Sequence, residues 1–311
     1  MQPIRGITLK ILSVCVFVVM AALVKAVRVE IPAGEAMFFR SIFALPVIFA
    51  WMVIRGDLRS GLHTKQPLSH FWRGLIGTYA MGLGFTGLGM LPLPEVTAIG
   101  YATPIFVVIF AAMFLGEKIR AFRMSAVALG MVGVLIVVSP RLSVGFDDAM
   151  PGAAERQMLG AVVVLGASFC AGLAHVYIRK LVLTESTTSI VFWFSVTASV
   201  LSLLTLPWGW VWPRPTVLVL LISAGLVGGL GQILLTSSYK FADAGVIAPF
   251  DYVSMILALA IGYFIFDEVP TMVMLGGASL TILAGVLIIL REGQLGLERS
   301  KQRGASQPGG G

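Results

Sequence analysis

Tyr101, Ile105 and Glu117 recur as Tyr252, Ile256 and Glu268, each displaced by 151 positions, and this repeat limits the possible folds more than any other feature of the chain. One residue of slippage later, Gly133-Val134-Leu135-Ile136 recurs as Gly285-Val286-Leu287-Ile288. Between these anchors the first copy reads Glu117-Lys118-Ile119-Arg120-Ala121-Phe122-Arg123. The second reads Glu268-Val269-Pro270-Thr271-Met272-Val273-Met274, without a basic residue. Lys and Arg concentrate in cytoplasmic loops of membrane proteins, so the two equivalent loops are expected on opposite faces of a bilayer. Inverted repeats of this kind are the architecture of secondary transporters.

Composition agrees with a membrane setting. Of 311 residues, 58% are hydrophobic and 12% charged, with a mean hydropathy of +0.95. A soluble domain carries roughly a quarter charged residues. The net charge of +7 does not point to nucleic acid, because the basic residues form no stripe with interleaved aromatics. Cys15 and Cys170 lie inside apolar segments and match no disulfide or metal-ligand spacing. No metal or cofactor is expected.

A bilayer core needs about 20 apolar residues per helix. Ten runs meet this requirement: 7–26, 34–54, 71–91, 94–115, 123–139, 158–179, 188–206, 216–238, 245–266 and 271–290. Pro92 and Pro94 separate the third and fourth runs, Pro140 is expected to end the fifth, and Pro213 and Pro215 precede the eighth. Trp208, Trp210 and Trp212 suit an interfacial belt. The first run is long enough to be retained as a span rather than cleaved as a signal peptide.

With the N-terminus inside, sixteen Lys and Arg fall at cytoplasmic ends, Lys10 and Arg73 among them. Lys25, Arg28, Arg141, Arg156 and Arg214 fall outside, and Arg40 lies within a span. The split predicts cytoplasmic termini. An odd number of spans per copy then forces the second copy to enter inverted. The expected organisation is a first five-helix repeat over 1–140, an external linker over 141–157, a second, inverted repeat over 158–290, and a disordered cytoplasmic tail over 291–311.

The duplicated five-span unit, Phe38-Phe39-Arg40 entering the second helix, Gly116-Glu117 closing the fourth, Pro104 within the fourth and Gly133-Val134 in the fifth together resemble the drug/metabolite transporter superfamily, in its EamA-type ten-helix branch. The resemblance covers about residues 7–290. It implies an all-α integral membrane fold of ten transmembrane helices in two inverted repeats. A cavity would lie near the midplane, lined by helices 1–4 and 6–9. The second copy departs from the pattern: Asp267 replaces the Gly before Glu268, and Met255 replaces the proline aligned with Pro104.

Polar groups deep in spans point to a site, because an unsatisfied polar group in hydrocarbon costs several kcal/mol. Tyr79, Tyr101, His175, Gln232, Asp251 and Tyr252 are expected to contribute to one central cavity, with Arg40 near its outer mouth. Tyr101 and Tyr252, mates in the repeat, form a candidate pair of gates. Asp251 is either an intramembrane acid for an ammonium or a proton, or a helix-entry acid favoured by the helix dipole. Lys25 is expected to snorkel, with Glu35 near enough to pair with it or with Arg40. Glu117 and Glu268 are expected to hold loops. The glycines of helices three and eight let backbones approach, or let those helices bend during transport.

An enzyme is not expected: a zinc protease needs His-Glu-x-x-His, which His63, His70 and His175 do not form. The expectation is a carrier, a single chain in the bacterial inner membrane, exporting small metabolites by alternating access. Amino acids, aromatic ones included, are the first choice of cargo. The alternatives are uptake of a cofactor-like metabolite such as riboflavin or S-adenosylmethionine, and a passive facilitator.

Overall fold

The computed structural model describes residues 3–115, 121–143, 153–242, 247–280, 282–284 and 286–287. Among these, every regular element is helical. The chain runs through α1 (Pro3–Val27), α2 (Ala33–Ile42), α3 (Ala44–Arg55), the short α4 (Leu58–Leu62), α5 (Pro67–Leu88), α6 (Leu93–Gly100) and α7 (Ala102–Leu115). It continues with α8 (Ala121–Ser143), α9 (Ala153–Leu181), α10 (Thr187–Leu203), α11 (Pro215–Phe241), α12 (Ser254–Phe266) and α13 (Met272–Ala284). Five of the spans, Ile4–Val27, Ala33–Arg55, Leu93–Phe114, Glu155–Leu181 and Pro215–Phe241, are long and apolar enough to cross a membrane by length and composition, and shorter apolar helices supply others. With α2–α3 and α6–α7 each read as one span, this is the ten-helix, two-repeat fold.

Local chemistry explains the boundaries. Pro67 and Pro215 open α5 and α11 at positions where the missing N–H costs nothing. Ser186 caps α10, its hydroxyl accepting from Ser189 N at 3.1 Å. Gly56 ends α3 at φ +66°, as a glycine past a helix end commonly does. Asp267 ends α12 in the same left-handed region at φ +54°, and Glu268 N donates back to Gly262 O at 2.9 Å. The Asp that stands where the first copy has Gly116 therefore occupies a position that favours glycine, and its short polar side chain is one of the few that tolerate it.

Prolines bend the spans. Pro46 cannot donate to Ile42 O, and the second span breaks at Phe43. Pro104 leaves Gly100 O in the same position, and the fourth span breaks at Tyr101. The ninth span has no proline at the equivalent Met255, yet it also opens irregularly, as a 3-10 turn over Ala248–Val253. Both copies are thus distorted at the same aligned tyrosine. Pro140 does not end the fifth span: α8 runs to Ser143, and Ser139 Oγ donates to Ile136 O at 2.9 Å, the carbonyl that Pro140 leaves without its usual donor. Glu117, the centre of the linker at 144–152 and the tail lie outside the described residues.

The repeats pack into each other. α1 lies along α11, α5 and α7 along α9, and α10 against α2 and α5. Glycines set the closest approaches: a Cβ at Gly172 would come within 2.6 Å of Phe106 Cβ, and one at Gly229 within 3.0 Å of Ala44 Cα. Lipid gives helices no hydrophobic drive to associate, so small residues bring the backbones close enough to pack. Large apolar side chains such as Ile54, Phe264 and Met272 stand exposed around the periphery, as a surface solvated by lipid requires.

Candidate functional site

A cavity of about 330 Å³ lies between the two repeats, lined by residues of α1, α2, α5, α6, α7, α9, α10 and α11. Its walls are mostly apolar. α5 gives it one long face through Arg73, Gly77, Ala80, Gly84 and Leu88, positions that fall on one side of a helix turning about 100° per residue. Glycine and alanine on that face leave the space open.

The polar groups of the cavity are Arg40, Arg73, His175 and Gln232, with Ser168, Thr97 and Thr103. Arg40 is 2% exposed and donates from Nη2 to Gly228 O at 3.4 Å. Arg73 is 3% exposed, with its guanidinium carbon 3.9 Å from the centroid of the Phe194 ring; that of Arg40 lies 5.5 Å from the same centroid. Nε and Nη1 of both arginines, and Nε2 of Gln232, are buried without a hydrogen-bond partner. His175 packs its ring 5.7 Å from that of the buried Tyr239. The arrangement can bind a small, largely apolar molecule and offers donors to any oxygen it carries.

Three of the seven residues expected at the site therefore line the cavity: Arg40, His175 and Gln232. Tyr79 does not. It is 62% exposed, because two residues beyond Gly77 the helix has turned its side chain roughly opposite the cavity face. Tyr101 is buried between the fourth and ninth spans, its hydroxyl 3.2 Å from Ser254 Oγ, and it is not part of the lining. The Tyr252 side chain lies outside the described residues. Asp251 pairs with Lys10, Nζ to Oδ1 at 2.7 Å, beside the cavity rather than in it.

Other ionic expectations are also corrected. Lys25 does not snorkel: it pairs with Glu268 at 2.8 Å and donates to Leu91 O at 2.8 Å. Glu268 also accepts from Leu93 N at 2.8 Å, an acid at the N-terminus of α6 where the helix dipole favours it. Glu35 pairs with neither cation and accepts from Val211 N at 2.9 Å. Lys25–Glu268 and Lys10–Asp251 join α1 to the ninth span at opposite ends. Sequence reasoning missed Arg73, Lys10 and Phe194. In the sequence Arg73 and Lys10 read as span-end charges, and the available signal for Arg73 is its i, i+4 spacing from Gly77 on the α5 face.

The chain matches the model of the EamA-like transporter family twice, over residues 4–139 and 158–291. It is 30% identical to an S-adenosylmethionine uptake transporter of Rickettsia bellii, across 83% of this chain and 84% of that protein. It is 30% identical to a pseudopaline exporter of Pseudomonas aeruginosa, across 92% and 93%. A riboflavin transporter of Rhizobium johnstonii is 26% identical, across 85% and 83%. A solved structure superposes with a TM-score of 0.67 at 17% identity, covering 93% of this chain and 98% of the other, and shares the fold.

Proposed function

The chain belongs to the EamA-like transporter family of the drug/metabolite transporter superfamily, and from that premise we propose that it exports small carboxylate-bearing metabolites, amino acids first among them, by alternating access. That it is a multi-pass membrane transporter follows from the family and its relatives. Cargo, direction and membrane are our reading: the bacterial inner membrane, with both termini cytoplasmic, as the distribution of Lys and Arg favours. The observation that carries the cargo is the cavity itself. Its volume of about 330 Å³ is at the small end of the ~300–1,000 Å³ range of small-molecule sites. Its mostly apolar walls, with polar donors at Arg40, Arg73, His175 and Gln232, suit a compact molecule that carries carboxylate oxygens. Of the seven residues first expected there, Arg40, His175 and Gln232 support this reading, and Tyr79, Tyr101 and Asp251 do not.

The second reading is uptake of a cofactor-like metabolite. It is favoured by the names of two relatives, the S-adenosylmethionine uptake transporter and the riboflavin transporter. Counterflow in proteoliposomes separates the two. Saturable exchange of radiolabelled amino acids, with no exchange of S-adenosylmethionine or riboflavin, is the expected outcome. Cofactor exchange without amino-acid exchange would replace the first reading with the second, and non-saturable flux would indicate a passive facilitator.

A further inference from the structure

We propose that Arg40 and Arg73, both packed on the ring of Phe194, form an anion subsite that selects cargo with a second carboxylate over its neutral counterpart. This inference rests on the carrier reading and names the substrate class of its cavity.

Buried cations are expensive in a membrane protein, and they are normally paired with an acid or with backbone carbonyls. Among the described residues, the other buried and half-buried cations obey that rule. Lys10 is paired with Asp251, and Lys25 with Glu268 and Leu91 O. The guanidinium of Arg28 donates to Phe85 O and to Ile31 O. Arg40 and Arg73 break the rule: one has a single long bond to a carbonyl, the other an aromatic face, and two nitrogens of each have no partner. The cavity lining, as described, contains no carboxylate. The nearby acids Asp251 and Glu35 are committed, to Lys10 and to Val211 N. The cavity therefore holds two cations without a counter-ion among the described residues.

The space around them is shaped for guanidinium groups. A Cβ at Gly77 would collide with Nη1 of Arg73, and one at Gly228 would come within 2.9 Å of Nε of Arg40. Part of the glycine content of helices three and eight thus accommodates these two side chains. Phe194, itself 4% exposed, anchors both through cation–π contact, so a single small molecule can reach both. A guanidinium matches a carboxylate through two parallel N–H bonds, and Gln232 Nε2 adds a further donor without an acceptor. A zwitterion with one carboxylate would satisfy one arginine and leave the other unpaired. A molecule with two carboxylates would satisfy both.

The probe pair is glutamate and glutamine, which differ by one charge at nearly constant shape. The measurement is their binding to the purified full-length chain, read from displacement of the thermal unfolding midpoint at constant ionic strength, with inorganic phosphate as a third arm. Wild type is expected to bind glutamate at least about tenfold more tightly than glutamine. R40Q and R73Q should each cut that preference to about threefold or less. R40K and R73K, which keep the charge but lose the fork, should fall between. Equal binding of the two ligands by wild type, or a preference that survives both Gln variants, overturns the proposal. So does phosphate matching glutamate with the same dependence on the arginines, which would mark a site for inorganic anions. Amino-acid flux in proteoliposomes without glutamate preference would sink this subsite and leave the export reading intact. Arginine-dependent glutamate binding with no amino-acid flux would do the reverse.

Discussion

Two groups of buried charge lie within a few helical turns of each other and are built on opposite plans. Along the seam between α1 and the ninth span, Lys10 meets Asp251 at one end and Lys25 meets Glu268 at the other. Across the cavity, Arg40 and Arg73 meet no acid among the described residues, and both side chains line a space large enough for a ligand. Paired charge fixes one element against another. Unpaired charge beside a cavity is left for something that comes and goes. On the proposed reading, the difference separates residues that hold the bundle from residues that would meet the cargo, although all are buried or half-buried cations in spans.

The largest effect should come from breaking the seam. Asp251→Asn leaves Lys10, 1% exposed, as an uncompensated buried cation, and such losses cost about 3–5 kcal/mol. Restoring neutrality with K10M in the same chain should recover most of it. The four unfolding midpoints of that double-mutant cycle measure the coupling, and additive losses would show that the pair is not a unit.

A smaller effect is expected in the cavity from Gly77→Ala. The added methyl would meet the Arg73 guanidinium and come within 2.9 Å of the buried Phe194 ring, so stability should fall by about 1–3 kcal/mol, the cost of overpacking a core, less than the loss expected at the seam. The glutamate-over-glutamine preference should nevertheless fall several-fold, because the guanidinium has moved. A preference unchanged in G77A would mean that the position of Arg73 does not matter to binding.

The smallest effect marks the contrast with the surface. Arg214 hydrogen-bonds to Glu30 outside the spans and holds its carboxyl below the usual range. A depressed carboxyl pKa stabilises above the unfolded value and loses that contribution as pH falls through the folded one. Both groups are exposed to water, where such pairs are weak. The unfolding midpoint of E30Q should lie only marginally below that of wild type at neutral pH, and that small difference should vanish in acid. A clear loss at neutral pH would mean that exposure is a poor guide to which pairs matter here.

The same contrast explains how much of the molecule could be read from its sequence. The fold was legible because membrane helices are written in runs: the repeat of Tyr101, Ile105 and Glu117, the apolar lengths and the absence of basic residues after Glu268 fix ten spans in two copies. Pro104 announced the break at Tyr101. Pro140 misled, since Ser139 absorbs the carbonyl that Pro140 leaves free. The site was harder. Polarity in a span indicates that a side chain avoids lipid but not where it goes, so Arg40, His175 and Gln232 reached the cavity while Asp251 went to a lysine 241 positions earlier in the chain. Tyr79 failed on helical phase alone, and that was legible: it lies across α5 from Gly77, Ala80 and Gly84. Arg73 was hidden by its place near the start of a span, where a basic residue reads as an orientation signal.

The most direct test of this division is the stability of two single variants without any ligand, K10M and R73M, each removing one buried cation from the full-length protein in the same detergent. K10M strands Asp251 and is expected to lower the unfolding midpoint sharply. R73M removes a charge that has no partner to strand, and its midpoint is expected to equal or exceed that of wild type. A fall in R73M as large as that in K10M would contradict the account, because it would show Arg73 to be held by an acid within the protein and not waiting for one on the cargo.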